Sequence, residues 1–279
     1  MALRRLPTPL AASSVLDPVP PEYRASKASL SEGFDSSQAK LYLYRLMDSE
    51  LGDSSRIARV LRVSHGLEGP AEASAVFSTV SNYADAAKKW AQHLAQIKKP
   101  ESDVVALAAK FLNSLQFVFW SEYICSDFGN LHPIRAALTL LVNWAESLAE
   151  DDRNGLRLDK YYEAPYQSLF SKYAARKEND KVLHLLVRKK LGAFYFDMGR
   201  VRDMKEVRTE VARGLEEFLG GHPLALTAQS EDAYVHLLQG RLHDAHEVWE
   251  KVAGIQDTVV PQKDRRELYR TQFYKGMAE

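Results

Sequence analysis

Three histidines near the carboxyl end come closest to a ligand set. His243 and His246 stand one helical turn apart in HDAHE (243–247), and His236 lies just across Gly240. On two antiparallel helices the three imidazoles would converge on a metal ion. No carboxylate can be assigned from sequence to orient them, and two histidines at this spacing are ordinary on an exposed helix face. The single cysteine, Cys125 in YICSDFG, would need an imidazole beside it to act as a nucleophile. At the end of an apolar helix a lone cysteine behaves as a small hydrophobe instead. Glu150, Asp151 and Asp152 read as a polar inter-helix loop kept in water rather than an acid–base pair. A glycine-rich phosphate loop, GxSxG, HExxH, paired CxxC and a DxDxDG calcium loop are all missing. The expectation is therefore no catalytic residue, no cofactor and no resident metal.

The elements that would have to position such groups are helices. The chain has 279 residues, enough to bury a sizeable core, and 46% of them are hydrophobic, which excludes wholesale disorder. Its 37 basic and 37 acidic residues cancel, so no global field favours nucleic acid or an anionic membrane. One cysteine excludes an internal disulfide scaffold. The densest apolar stretch, Ala136–Ala145, is half the roughly 20 residues a bilayer core needs, so no transmembrane segment is expected.

From Ser36 onward apolar residues recur at helical spacing. A helix is expected over 71–97 on the stripe Phe77, Val80, Tyr83, Ala87, Trp90 and Leu94. The next runs from 102 on Val104, Ala108, Phe111, Leu115 and Val118. Further helices are expected over 134–148, 161–173, 182–198, 201–219, 224–238, 242–252 and 265–277. Alternating strand patterns and Asn-Gly hairpins are missing. The reading is all-α, with ten or eleven antiparallel helices over 36–279, preceded by an extended arm over 1–35 that carries Pro7, Pro9, Pro18, Pro20 and Pro21.

Two segments near the carboxyl end align on their glycines. LGAFYFDMGRVRD carries Leu191, Gly192, Tyr195 and Gly199, and DAYVHLLQGRLHDAHEVW carries Ala233, Gly240, Ala245 and Trp249. Small residues let paired helices approach, and the aromatic fills the space before the next pair. These positions resemble tetratricopeptide-repeat units, and LHLLVRKKLGAFYF followed by LLQGRLHDAHEVW is more loosely similar to PCI-type complex subunits and nuclear-pore scaffold proteins. The glycines are 41 residues apart where that family spaces its repeats by about 34, and no third unit is clear. The resemblance implies an antiparallel helix-pair solenoid that binds other proteins and has no active site.

Charge is uneven in one stretch. Between Lys172 and Arg213 twelve Lys or Arg face six acids, and Arg188, Lys189, Lys190, Arg200, Arg202 and Lys205 form a candidate partner-binding patch. Solvated outer positions of amphipathic helices are the favoured reading of these cations; if they share a face, an acidic protein is the expected ligand and RNA the alternative. The expected role is a non-catalytic structural or adaptor subunit that holds neighbouring subunits of a larger assembly through solenoid grooves and the arm. The first sixteen residues contain Arg4 and Arg5 and no acid, the bias of mitochondrial import signals, although Pro7 and Pro9 break the helix such a signal needs. A mitochondrial complex is the favoured location, with nuclear-pore or cytoplasmic assemblies as alternatives.

Overall fold

Some helix boundaries fall where side chains supply the missing backbone partners. In the computed structural model the described residues are 36–69, 71–72, 75–76, 83–128, 132–156, 158, 163–174, 181–259 and 266–278. They form thirteen α-helices and a 3₁₀ turn at Ser49–Gly52, with no strand among them. The all-helical expectation therefore holds. The arm expected over 1–35 lies outside the described residues, and so does much of 71–82; the helix expected over 71–97 is described continuously from Tyr83. The helices are α1 (Ser36–Leu46), α2 (Ser54–Ser64), α3 (Tyr83–Gln96), α4 (Ser102–Leu112), α5 (Leu115–Phe128), α6 (His132–Ala145) and α7 (Glu150–Leu156). They continue as α8 (Glu163–Ala174), α9 (Lys181–Asp197), α10 (Val201–Leu219), α11 (Pro223–Leu238), α12 (Leu242–Val259) and α13 (Arg266–Ala278).

Asp53 starts α2 by accepting the free amides of Ser55 at 3.0 Å and Arg56 at 3.1 Å. Pro223 opens α11 at the first turn, where its missing N–H costs nothing, and the His222 ring accepts the Leu224 amide at 3.2 Å. Two expectations are corrected. The apolar stripe beginning at Val104 is split into two helices that meet at 73°. Asn113 Nδ2 takes the Ala109 carbonyl at 2.8 Å and Ser114 Oγ takes that of Phe111 at 2.7 Å, so short polar side chains end α4 before the apolar period does. Glu150, Asp151 and Asp152 are the first turn of α7 rather than a loop, where the exposed amides of a helix start favour negative charge.

Two styles of packing divide the chain. From α8 to α13 each helix packs on the next in sequence, and α13 also reaches α11. Three-residue turns join α9 to α10, α10 to α11 and α11 to α12, which forces those pairs antiparallel. Among α1 to α7 the main contacts skip along the chain: α1 on α3, α3 on α6, α2 on α5 and α4 on α7. There the core is aromatic. Trp90 meets Phe111 at 5.0 Å and Trp120 at 5.3 Å, and Phe117 lies 5.3 Å from Trp120. Each such pair adds about 0.5–1.5 kcal/mol beyond area burial. The Trp120 and Trp144 indoles donate to the Ala87 and Ile97 carbonyls at 2.9 and 3.2 Å, so neither buried N–H is left unpaired. No single described helix is long and apolar enough to cross a membrane; the bent α4–α5 pair matches in length and composition, but its apolar side chains Val104, Phe111, Phe117 and Phe119 fill this core.

Candidate functional site

Consecutive residues on a helix point about 100° apart, so the run Arg188-Lys189-Lys190 on α9 cannot present one face. It splays to three different helices. The Arg188 guanidinium pairs with Glu210 of α10, its Nε at 3.0 Å, and covers the Phe170 ring. Lys189 Nζ lies 2.7 Å from both carboxylate oxygens of Glu231 on α11. Lys190 Nζ reaches back to Glu122 Oε2 of α5 at 3.1 Å. Arg200, just past α9, donates to Glu163 of α8 at 2.8 Å and to Asp203 at 2.7 Å while lying over the Tyr195 ring. Four of the six residues in the candidate patch are therefore committed to carboxylates of this same chain. Arg202 and Lys205 are the exceptions and are exposed on α10.

The innermost of these carboxylates is Glu122, which is 0% exposed. Ser64 Oγ donates to its Oε2 at 2.6 Å, and the Tyr166 hydroxyl donates to its Oε1 at 2.5 Å. Ser121 Oγ sits 2.5 Å from the same Tyr166 oxygen. Burial alone would raise the Glu122 carboxyl, but the Lys190 ammonium and these hydroxyl donors hold it below the ordinary carboxylate range. Beside it His65 Nδ1 faces the Leu61 carbonyl at 2.9 Å, which fixes the tautomer that carries hydrogen there. Burial, helped by Lys190, pushes that imidazole down to about 4. The junction joins α2, α5, α8 and α9, the place where the two packing styles meet. Its serine proton is directed at Glu122 and its imidazole at a backbone carbonyl, so the groups are arranged to satisfy one buried carboxylate.

A second carboxylate organises the stacked helices. Glu231 takes Lys189 from α9, has Arg270 of α13 at 3.6 Å, and its own carbonyl accepts Arg208 of α10 at 3.0 Å. Burial would raise its carboxyl, but Lys189, then Arg270 and Arg208, hold it down at about 2. Rings follow the same line: Phe196 meets Tyr234 at 5.5 Å and Tyr234 meets Tyr274 at 5.3 Å, from α9 through α11 to α13. These rings and ion pairs tie α9, α11 and α13 to one another.

The glycines aligned in sequence make the same turn. Gly199 and Gly240 have φ of +68° and +74°, and each closes its helix with two bonds. The glycine amides bond to Phe196 O and Leu237 O at 3.0 Å, and the following arginine amides reach Tyr195 O at 2.8 Å and His236 O at 3.0 Å. This left-handed closure tolerates glycine best. Arg200 pairs with Asp203 and Arg241 with Asp244, three residues on in both turns. Leu191, Tyr195, Ala233, Ala245 and Trp249 are buried, and the Trp249 indole donates to Ser230 O at 2.9 Å. A Cβ on Gly192 would lie 3.2 Å from Val207 Cγ1, and one on Gly214, which sequence reasoning passed over, 2.8 Å from Leu185 Cδ1. Both permit the close approach of α9 to α10.

The histidines do not converge. His243 faces Glu247 at 3.3 Å on its own helix and His236 contacts Arg241. Among the described residues no three His, Cys, Asp or Glu side chains are grouped to hold a metal ion. The Cys125 side chain lies outside the described residues. Sequence reasoning missed Ser64, Glu122, Tyr166, Glu163 and Glu231. Glu122 carried a readable signal, as the one carboxylate in the apolar run FVFWSEYIC; the others are ordinary polar residues of amphipathic helices. Comparison of the chain with protein-family models, with curated proteins and with solved structures finds no match.

Proposed function

We propose that the chain is a non-catalytic structural or adaptor subunit that holds neighbouring proteins within a larger assembly, with α8–α13 forming a tetratricopeptide-like solenoid. The repeated glycine closures and the ring contacts that link α9, α11 and α13 support the solenoid reading. The observation that carries the adaptor reading is a stripe on α13: Tyr269, Phe273 and Met277, four residues apart, are 62%, 58% and 43% exposed. A stacked helix ordinarily keeps its apolar residues inward, and a contiguous exposed set marks a docking surface. Commitment of Arg188, Lys189, Lys190 and Arg200 to internal carboxylates favours protein over nucleic acid as the partner.

The test is native purification of the full chain beside a Tyr269→Ser, Phe273→Ser, Met277→Ser variant, with mass spectrometry of the complex and its stoichiometry. Docking would remove roughly 1 kcal/mol of exposed apolar surface per side chain, so the variant should bind its partner on the order of 100-fold more weakly. Unchanged helical circular dichroism would show that the fold survives. A chain that purifies alone and in no stoichiometric complex would overturn the reading.

A further inference from the structure

The cations that the internal pairs leave over collect in one place. From α9 to α13 nearly every described basic side chain has a partner within the chain. Arg188, Lys189, Lys190, Arg200, Arg241, Lys251, Arg270 and Lys275 face carboxylates. Arg208 takes a carbonyl, and Lys181 lies over the Phe218 ring. Arg202, Lys205 and Arg213 have no such partner among the described residues, and all three line the same shallow groove along α10, of about 520 Å³. The groove also holds Glu206, Thr209 and Glu210. Glu210 is taken by Arg188 and Thr209 by Asp232, which leaves three cations against the single unmatched carboxylate of Glu206.

The geometry points to this groove as a docking site for an acidic helical segment of a partner protein. Eleven residues separate Arg202 from Arg213, about 16 Å along the helix, so three turns of an antiparallel helix with carboxylates at three- and four-residue spacing would face all three cations. Glu206 fits the same partner, since one basic residue among its acids would satisfy it; a continuous phosphate backbone would meet that carboxylate with repulsion only. The groove has no aromatic side chain on which a base could stack. The proline-containing segment 1–35 of this chain is a poor occupant by charge, because its 35 residues carry Arg4, Arg5, Arg24 and Lys27 against Asp17, Glu22, Glu32 and Asp35. The site is separate from the apolar stripe on α13, so either can fail alone.

The experiment uses the purified full chain and fluorescein-labelled probes read by anisotropy at low and physiological salt: a 20-residue helix-forming Glu/Ala peptide, the same peptide with Gln for every Glu, and a 20-nucleotide poly(U) RNA. The acidic peptide should bind with an affinity that falls as salt rises. Binding should drop at least about tenfold in an Arg202→Glu, Lys205→Glu, Arg213→Glu variant, since placing like charges opposite one another both slows encounter and repels the docked state. A Lys98→Glu, Lys99→Glu, Lys110→Glu variant makes the same net change on exposed residues elsewhere and should bind as the parent does. Equal loss in both variants, equal binding of the Gln peptide, tighter binding of poly(U), or no binding at all would each overturn the proposal.

Discussion

The two halves of this molecule bury different things. Among α1 to α7 the interior is made by Trp90, Phe111, Phe117 and Trp120 packing between helices distant in sequence, whereas from α8 to α13 each helix leans on its neighbours and the ties between alternate helices include carboxylates ringed by cations. Apolar burial is non-directional and large for aromatic side chains, so it tolerates helices arriving in any order. Ion pairs need specific partners at specific angles, which a repeated antiparallel geometry provides. Glu122 stands where the two meet: an α5 residue of the aromatic half, neutralised by Lys190 of the stacked half.

The largest effects should come from removing an indole from each half. Trp120→Ala and Trp249→Ala should each cost about 3–5 kcal/mol of local stability. The consequences differ because the contact patterns differ. Loss of Trp120 should lower the urea midpoint of the whole chain, whereas loss of Trp249 should add a separate early transition for α12 and α13, whose main packing reaches no further back than α11. A single shared transition in both variants, followed by circular dichroism, would erase the distinction between the halves.

The junction comes next. Lys190→Met leaves the Glu122 carboxylate buried without its cation and should cost about 3 kcal/mol, because an uncompensated buried charge costs more than the pair contributes. Adding Glu122→Leu should recover part of that loss, and a double-mutant cycle in urea measures how much. If Lys190→Met melts like the parent, the junction does not tie the halves together.

Acid should separate the halves by degree. His65 is held neutral, with its pKa lowered from 6.5 to about 4, so the unfolded chain takes up that proton first and stability falls between about pH 6.5 and 4. Glu231 is held ionised, its value lowered from 4.5 to about 2, so its contribution is intact above pH 4.5 and fades between 4.5 and 2. Thermal midpoints taken from pH 7.5 downward should show two declines, the upper one shallower in His65→Gln and the lower one shallower in Glu231→Gln, where Glu122 still contributes. A single decline untouched by either substitution would contradict both assignments.

Much of the stacked half was legible because its signals are local. Gly199 and Gly240 announce left-handed helix closures by residue type, and the apolar periods of 201–219 and 224–238 bound their helices to within a residue. The α4–α5 break was harder to read: Asn113 and Ser114 are tolerated within helices, and only their competition for the Ala109 and Phe111 carbonyls turns them into a stop. The internal pairing of the basic residues was illegible for a different reason. Sequence counts charges along the chain, but the carboxylates that absorb Lys189 and Lys190 come from positions 42 and 68 residues away.

Periodicity, glycine placement and composition were enough by themselves to specify an all-helical chain and its two matching turns, since those depend on interactions within a few residues. Which helices touch in the aromatic half, which charges are consumed internally and which stay exposed are set by distances between residues far apart in the chain. Those distances exist only once the helices have packed.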